Sequence, residues 1–497
     1  MAATELLAPL RAHGKARTSG LADATILDFV ARDPRLGEAI AAAAAEYARV
    51  RDEFPELLDL DEDAQTLEVQ SGFVNFYAHD AANPYVALAA RGPWLVTLKG
   101  AVLYDTGGYG MLGFGHTPEK VMAAMARPQA VANIMTPNLS QLRFTRALKR
   151  EIGSTRGGCP YASFMCLNSG SESVSLAARI VDANAKTMTD PGARHAGKAI
   201  KRVVVKGAFH GRTDKPALYS DSSRKTYVQY LASYRGESSV ITIPPYDQDA
   251  LRKAFADAEA NGWFIEAMFL EPVMGEGDPG RAVPRAFYDV ARELTKSHGS
   301  ILLIDSIQAG LRAHGVLSIV DYPGFEGIDP PDMETYSKAL NAAQYPLSVL
   351  AVNERAAGLY RKGTYGNTMT ANPRALDVAS TVLGLLTPAL RANIRERGQE
   401  AIAKLEALKA ELPGLITKVQ GTGLLFSCEL SPEFKGYGTD STEEWMRERG
   451  IGVIHGGENS LRFTPTFAVT SEELDLLIGM VKRALLEGPR QQQAAAA

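Results

Sequence analysis

The run Ile301–Ile304 constrains the fold of this chain more than any other stretch, because four consecutive apolar residues lead directly into Asp305. An apolar run of this length is typical of a strand that is buried on both faces of a parallel, helix-covered sheet. In an open α/β sheet, the carboxyl ends of such strands face the crevice where ligands bind. The pattern therefore predicts a carboxylate at the ligand-binding edge of a sheet.

Lys338, in the stretch Ser337-Lys338-Ala339-Leu340, is predicted to lie at a second strand end of this kind. A pyridoxal-phosphate enzyme needs these two groups, because the lysine forms a Schiff base and the carboxylate keeps the pyridine nitrogen protonated. Each residue alone has a simpler explanation: Asp305 as a cap or turn residue, and Lys338 as a solvated surface group. The interpretation depends on whether the rest of a cofactor site is encoded.

Composition and charge argue against several other classes of protein. The chain has 497 residues, 45% of them hydrophobic, and its net charge of -4 comes from interspersed signs, which disfavours nucleic-acid and membrane-surface partners. Its cysteines (Cys159, Cys166 and Cys428) form no CxxC pair, so we predict neither a metal site nor a disulfide framework, as in a cytoplasmic protein. No apolar stretch approaches the roughly 20 residues that span a bilayer, and no signal peptide is apparent.

Short apolar runs alternate with helical patterns between about 140 and 375, which predicts an α/β fold with a mainly parallel, helix-covered sheet. The predicted strands of this sheet are 162–167, 202–205, 267–270, 301–304 and 348–352. The predicted organisation is a mostly helical segment (1–90), a small α/β domain (91–135 with 376–488), a large domain (136–375) and a disordered tail (489–497).

Further motifs follow predicted strands and complete a possible cofactor site. Asn168-Ser-Gly-Ser-Glu172 opens a helix, so it offers backbone N–H groups and a hydroxyl to a phosphate, although a simple serine N-cap explains it equally well. Phe209-His-Gly-Arg212 supplies an aromatic face and a guanidinium fork. The stretch from Glu271 to Glu276 places two carboxylates near the same crevice.

The stretch Gly108-Tyr-Gly-Met-Leu-Gly113 matches the GxGxxG pattern of dinucleotide-binding proteins. A dinucleotide site also requires an acidic residue about 20 positions further on, to bind the ribose hydroxyls. Residues 128–141 contain no acidic residue. We therefore predict a loop near a ligand here and disfavour a nicotinamide oxidoreductase.

In their order along the chain, these motifs resemble those of the class III pyridoxal-phosphate aminotransferases of fold type I, particularly the ornithine, 4-aminobutyrate and lysine 6-aminotransferase group. The matching stretches are 168–172, 209–213, 271–276, 305–308, 337–340, 368–373 and 461–465. The resemblance implies an α/β fold with a large cofactor domain and a smaller one. It also implies the transfer of a primary, terminal amino group from an ω-amino acid or diamino acid to a 2-oxo acid such as 2-oxoglutarate.

The same resemblance assigns roles to individual residues. Lys338 is the implied Schiff-base lysine and proton carrier, and Asp305 is the implied partner of the pyridine nitrogen. The implied cofactor-binding residues are Gly170, Ser171, Phe209 (stacked on the ring), His210, Asp305, Gln308 (on the ring hydroxyl), Lys338 and Thr368 (on the phosphate of the neighbouring subunit's cofactor, hence a homodimer). The implied substrate-binding residues are Arg212 and Arg462, which bind carboxylates, and Glu276, which masks the second arginine when a donor lacks a carboxylate.

The sequence also departs from the family pattern. Ser306 stands where Glu is usual, Met274 where Gln is frequent, and Gln420 where Arg is common, while residues 368–373 replace a glycine-rich loop. We expect these departures on the substrate side or at the subunit boundary, so the amino donor stays open. The alternatives are an aminomutase, epimerase or decarboxylase on the same scaffold, a transaminase of carboxylate-free amines, and a non-catalytic cofactor-fold protein, which the presence of both Lys338 and Asp305 disfavours.

Overall fold

The structure is a computed structural model of the chain and describes residues 3–131 and 134–491. The predicted tail lies outside the described residues from position 492 onward. Immediately before that point, Gln491 still donates its backbone N–H to the carbonyl of Glu433 at 2.8 Å.

The N-terminal part is mostly helical and leads into a β-hairpin. Its elements are α1 (Ala3–Leu7), α2 (Asp23–Arg32), α3 (Pro34–Glu53), α4 (Pro55–Leu58), α5 (Glu62–Gln70), β1 (Ala87–Arg91), β2 (Trp94–Thr97) and β3 (Val102–Asp105). Asp33 caps α3 by accepting the backbone N–H of Arg35, and Pro34 fills the first helical position.

The central part alternates strands and helices. Its elements are α6 (Glu119–Ala126), α7 (Leu139–Glu151), β4 (Ser163–Leu167), α8 (Gly170–Thr189), β5 (Ala199–Val205), α9 (Asp214–Tyr219), α10 (Arg224–Tyr230), β6 (Val240–Ile243), α11 (Gln248–Ala260), β7 (Trp263–Leu270), α12 (Arg285–His298), β8 (Ile301–Asp305), β9 (Met333–Tyr336), β10 (Ser348–Val352), α13 (Glu354–Leu359) and α14 (Pro373–Leu385). Asn138 and Gln141 form a capping box that begins α7, and Gly299, at φ +85°, ends α12.

The C-terminal part begins with a long helix. Its elements are α15 (Pro388–Glu411), β11 (Ile416–Thr422), β12 (Leu425–Leu430), α16 (Thr442–Glu448), β13 (Ile451–Gly452), β14 (Ile454–Gly456), β15 (Ser460–Phe463) and α17 (Ser471–Glu487). Among the described helices, none is individually long and apolar enough to cross a membrane. Only α14 and α15 together meet that length and composition, and they are bent by 76° at the break between them.

The largest sheet has seven strands in the order β4-β10-β9-β8-β7-β5-β6. Strands β6, β5, β7, β8 and β9 run parallel to one another, whereas β10 is antiparallel to both β9 and β4. The predicted α/β fold with a mainly parallel sheet is confirmed, and all residues of β8 are buried, as the run Ile301–Ile304 indicated. The order β9-β8-β7-β5 brings the carboxyl ends of these four strands to one edge.

The chain divides into two compact units. The terminal unit comprises Met1–Glu119, Glu396–Gln420 and Phe426–Ala497, and the central unit comprises Lys120–Arg395 and Gly421–Leu425. The terminal unit contains a sheet of order β1-β2-β3-β13, in which Tyr104 pairs with Ile451. The seven-stranded sheet lies in the central unit. The domain boundaries expected at 91, 136 and 376 stay a prediction.

Candidate active site

Asp305 and Lys338 lie at the ends of adjacent parallel strands in the central unit. Asp305 is the last residue of β8, and it is in register with Thr335 of β9, three residues before Lys338. Lys338 has a φ of +45°, a left-handed conformation that is rare outside glycine and is concentrated at functional sites. The predicted placement of both residues at one edge of the sheet is confirmed.

Gln308 contacts the lysine from the loop that follows β8. Lys338 Nζ donates to Gln308 Oε1 at 3.3 Å. The Nε2 atom of Gln308 is buried and has no hydrogen-bond partner among the residues that the structure describes. A buried amide N–H without a partner costs free energy unless a ligand or water accepts from it. Gln308 is therefore suited to bond a polar group of a bound cofactor.

Asp305 forms a buried pair with His210, which follows β5. The distance from His210 Nδ1 to Asp305 Oδ2 is 2.8 Å, and both side chains are almost fully buried. A carboxylate held by an imidazole N–H at a strand end has a fixed orientation. Its other oxygen, Oδ1, accepts the backbone N–H of Ile307 at 3.2 Å and retains a lone pair for a further donor. This arrangement suits a partner for a protonated pyridine nitrogen.

Glu271 directly follows β7, and its sequence position alone predicts no role for it beyond a place near this crevice. It accepts the backbone N–H groups of Phe209 at 3.0 Å and Gly275 at 2.9 Å, so it holds both segments in place. Burial raises the pKa of this carboxyl to about 7, with the charge of His210 opposing the rise and that of Asp305 adding to it. A carboxylate at the end of a buried strand is the pattern that could have assigned Glu271 from sequence.

Gly275 sets the position of Gln308, so we expect that substituting Ala for Gly275 impairs catalysis without unfolding the chain. An added Cβ would lie 2.0 Å from Gln308 Oε1, which forces that flexible side chain away from Lys338. A displacement of about 1 Å at a reacting group costs on the order of 10²-fold in rate. Steady-state kinetics and the unfolding midpoint of Gly275→Ala would be measured beside Gly384→Ala, an exposed helical site whose added Cβ meets nothing within 4 Å. A Gly275→Ala protein with wild-type rates would contradict the assigned position of Gln308.

The predicted phosphate-binding turn lies at the start of α8. Ser169 caps the helix by accepting the N–H of Glu172, and Gly170 and Ser171 are the first two helical residues. Their N–H groups have no acceptor within the helix, and the helix dipole makes this end positive. Gly211, at φ +106°, approaches so closely that a Cβ there would lie 2.7 Å from Ser171 Oγ. The 209–213 motif therefore packs against this turn.

Arg212 lies near Phe209 and Glu276 in the central unit. Its guanidinium carbon is 5.2 Å from the centre of the Phe209 ring, and its Nη1 donates to Ser223 Oγ at 3.1 Å. The nearest approach of Glu276 is 4.0 Å, and 40% of the Arg212 side chain is exposed. The structure thus pairs Glu276 with Arg212, while the masking of Arg462 by Glu276 stays a prediction.

Arg462 is almost fully buried in the terminal unit, on β15. Its guanidinium carbon lies 5.4 Å from the ring centre of Tyr109, and Tyr109 in turn stacks on Tyr77 at 6.0 Å. Tyr109 belongs to the glycine-rich loop that matched a dinucleotide motif. The strand before this loop, β3, is antiparallel to β2 and parallel only to the two-residue strand β13. Residues 107–118 form no helix, so the loop lacks the strand–turn–helix arrangement of a dinucleotide-binding motif. Local sequence patterns do not predict a role for Tyr109, because its contact with Arg462 joins residues that are far apart in the sequence.

Thr368 lies in an exposed turn of the central unit. Its neighbour Asn367 donates from Nδ2 to Glu172 Oε1 at 3.2 Å, so this turn is anchored to the first turn of α8. Neither Asn367 nor Glu172 was predicted as a site residue. The carboxylate of Glu172, three residues after an N-cap serine, was the only available indication.

The departures Ser306 and Met274 are buried in the central unit, and the expectation that they lie on the substrate side or at a subunit boundary stays a prediction. Ser306 Oγ donates to Glu334 Oε1 at 2.6 Å, and Glu334 also accepts from Tyr161 Oη at 2.7 Å and Ile319 N at 2.9 Å. Burial raises the pKa of Glu334, and these donors oppose the rise. A serine at 306 is compatible with this buried carboxylate on the neighbouring strand, where a second carboxylate would repel it.

The side chains at this edge fit pyridoxal phosphate. They provide a lysine amine, a buried carboxylate, an aromatic ring, a buried amide N–H of Gln308 with no described partner, and the positive end of α8 for a phosphate. An α/β sheet with this set at its carboxyl edge is the architecture of a pyridoxal-phosphate enzyme.

Comparison with known proteins also indicates a pyridoxal-phosphate enzyme. The family model "Aminotransferase class-III" matches residues 76–485, and the chain belongs to this family of pyridoxal-phosphate-dependent aminotransferases with fold type I. The chain is 29% identical over 328 residues to the acetylornithine aminotransferase of Thermosynechococcus vestitus, covering 66% of this chain and 75% of that protein.

Two further similarities are more partial or more distant. The chain is 31% identical over 279 residues to the succinylornithine transaminase of Salmonella enteritidis, covering 55% of this chain and 62% of that protein. The solved ornithine aminotransferase of Toxoplasma gondii has the same fold, with a TM-score of 0.73, 23% identity, and coverage of 88% of this chain and 98% of that one.

Proposed function

We propose that this aminotransferase moves the terminal amino group of an ω-amino acid or diamino acid to a 2-oxo acid such as 2-oxoglutarate. The proposal is supported by family membership and by relatives that carry the names acetylornithine aminotransferase and succinylornithine transaminase. The free thiols Cys159, Cys166 and Cys428 fit a reducing cytoplasm, which we propose as its location.

When bound, pyridoxal phosphate acts as an electron sink for the substrate carbon that loses a proton. Lys338 would carry that proton, because its Nζ, held near Gln308 Oε1, could take it from the substrate carbon and donate it again. Asp305, oriented by His210, keeps the ring nitrogen protonated. Gln308 would bond the ring hydroxyl, Phe209 would stack on the ring, and Gly170 and Ser171 would bind the phosphate.

The observation that carries the substrate proposal is the environment of Arg212. Its guanidinium is held in place by the Phe209 ring and Ser223 Oγ, yet 40% of the side chain is exposed. A positioned and accessible guanidinium binds a carboxylate through two parallel hydrogen bonds. We assign Arg212 to one carboxylate and Arg462 to a second, with Glu276 competing for an arginine when the donor lacks a carboxylate.

We propose that the protein is a homodimer in which Thr368 reaches the cofactor phosphate of the partner subunit. The proposal is supported by exposed apolar side chains of the central unit near this turn. Leu139 and Met369 expose 65% and 61% of their surface. The segments that carry them, α7 and 365–371, line a common cavity of about 370 Å³. Apolar patches of this kind mark protein–protein contacts.

The function is tested by a screen of matched amine pairs with 2-oxoglutarate as acceptor. We expect kcat/KM for ornithine and 4-aminobutyrate to exceed that for putrescine and butylamine by about 10²-fold or more, because the latter have no carboxylate to bond the arginine that binds the donor. Product formation should require the 2-oxo acid, whereas an aminomutase, epimerase or decarboxylase would not require it.

A variant separates carboxylate binding from general damage to the enzyme. Arg212→Met should raise KM for the amino acids and leave the simple amines unchanged, while Arg252→Ala, a substitution at a half-exposed surface arginine, should change neither. If only carboxylate-free amines reacted in the wild-type protein, the proposed donor class would be wrong.

A further inference from the structure

Glu172 connects the phosphate-binding turn to the loop that carries Thr368. One carboxylate oxygen, Oε2, accepts the backbone N–H of Asn168 at 2.7 Å, and the other, Oε1, accepts Nδ2 of Asn367 at 3.2 Å. Asn168 Nδ2 lies 3.4 Å from Asn367 Oδ1 and adds a direct contact. The two segments, about 200 residues apart in sequence, are therefore joined by a carboxylate that accepts from both and by the longer direct contact of the two asparagines.

The loop on the far side of this link, Tyr365–Thr370, is itself held by side chains. Asn367 Oδ1 accepts the N–H of Met369 at 2.9 Å, and Thr370 Oγ1 donates to the carbonyl of Asn367 at 3.0 Å. Tyr360 Oη donates to the carbonyl of Tyr365 at 2.7 Å. In a stretch where the family usually has a glycine-rich loop, this chain has polar side chains that fix the backbone. A displacement of Asn367 is therefore passed on to Thr368.

We propose that Glu172 and Asn367 are positioning residues that couple the two cofactor sites of the homodimer. Phosphate bound at Gly170 and Ser171 orders the turn of one subunit. Glu172 and Asn367 then order the loop of that subunit, which presents Thr368 to the partner's cofactor. This inference rests on the proposed function, namely on a homodimer in which Thr368 binds the phosphate of the other subunit.

Substitution at position 172 distinguishes coupling between the sites from a simple effect of charge on phosphate binding. A carboxylate has two acceptor oxygens, which the two donors need, whereas Gln has one acceptor and would turn an N–H toward the other donor. Glu172→Gln keeps the volume but breaks the carboxylate link, so that only the longer direct contact of Asn168 with Asn367, at 3.4 Å, still joins the two segments. The same substitution removes a negative charge from the phosphate-binding end of α8, so electrostatics alone would tighten phosphate binding. Coupling thus predicts a lower Hill coefficient for Glu172→Gln, whereas electrostatics alone predicts tighter binding with an unchanged Hill coefficient.

The test is a titration of the cofactor-free dimer with pyridoxal phosphate, followed by the absorbance of the bound cofactor. For two identical sites, a fivefold coupling, at the low end of common values, gives a Hill coefficient of about 1.4. We expect about that value or more for the wild-type protein. Glu172→Gln and Asn367→Ala should give Hill coefficients near 1. Thr368→Val, which leaves the link intact but removes the contact across the dimer, should do the same.

Matched controls separate this effect from general damage. Glu354→Gln removes a carboxylate from the first turn of α13, and Asn261→Ala removes an exposed amide at the end of α11. Both should keep the wild-type Hill coefficient. Light scattering checks that every variant has twice the mass of the chain, and the unfolding midpoint checks that each is folded.

The possible outcomes are distinguishable. A wild-type dimer that binds cofactor and is active, but titrates with a Hill coefficient of 1, would overturn the coupling and leave the proposed function standing. Glu172→Gln that binds more tightly with an unchanged Hill coefficient would also overturn it, because charge alone would then explain position 172. A monomeric wild-type chain, or one that binds no cofactor, would instead refute the proposed function from which the inference starts.

Discussion

Replacing Lys338 by alanine is expected to lower kcat for amine transfer by on the order of 10³-fold or more, because general acid–base catalysis alone contributes 10²- to 10⁴-fold. The lysine amine lies 3.3 Å from Gln308 Oε1, at the end of β9, and the residue holds a left-handed backbone conformation. Loss of the amine removes the group that moves the proton. Single-turnover rates of donor deamination and the amount of bound cofactor would be measured separately.

Two comparisons make the result specific to the amine. Lys253→Ala, at a surface lysine whose side chain is 72% exposed, should leave the rates unchanged. Methylamine added to Lys338→Ala should restore part of the single-turnover rate, because a small primary amine can enter the space left by the side chain. Rescue of this kind does not follow from a purely structural role. A Lys338→Ala protein that turned over normally would show that another base carries the proton.

The main features of the fold could be predicted because the buried strands of the central unit are continuous apolar runs. The runs at 267–270, 301–304 and 348–352 correspond to parts or all of β7, β8 and β10. A strand end was expected before Lys338, but the range of β9 was not predicted, since Met333-Glu-Thr-Tyr336 contains a carboxylate, which is typical of an exposed stretch. The structure buries Glu334 beneath hydroxyl donors, including Ser306. Hydrophobic periodicity does not reveal a buried charge whose hydrogen-bond donors come from distant loops.

The candidate site likewise contains residues that sequence patterns predict and contacts that they do not. Asp305, Lys338 and His210 follow strands of one parallel sheet, and topology alone brings such strand ends to one edge. The pairing of Asn367 with Glu172 depends instead on the path of a loop. The stacking of Tyr109 under Arg462 depends on pairing between distant segments. Contacts of this kind are set by tertiary geometry, which local sequence patterns do not encode.

Asp305→Asn is expected to lower kcat by on the order of 10²-fold or more while the protein stays folded, since preorganised charge at a reacting group contributes 10²- to 10³-fold. The amide has nearly the same volume and can still bond His210, at the present distance of 2.8 Å. It cannot supply the negative charge that keeps a pyridine nitrogen protonated. The loss should appear in the rate of proton removal from the substrate carbon, measured with deuterated and ordinary donors in single turnovers.

The control for Asp305→Asn is a buried carboxylate outside the site. Asp377 in α14 is buried to a similar extent and accepts a hydrogen bond from Gln129. Asp377→Asn therefore reproduces the removal of a buried charge, and its unfolding midpoint calibrates the structural cost of the change. If Asp305→Asn retained wild-type rates and cofactor content, the His210–Asp305 pair would be a structural contact. A rate loss confined to Asp305→Asn, with both midpoints equal, would assign the charge of Asp305 to the cofactor ring, because a folding defect would slow both variants together.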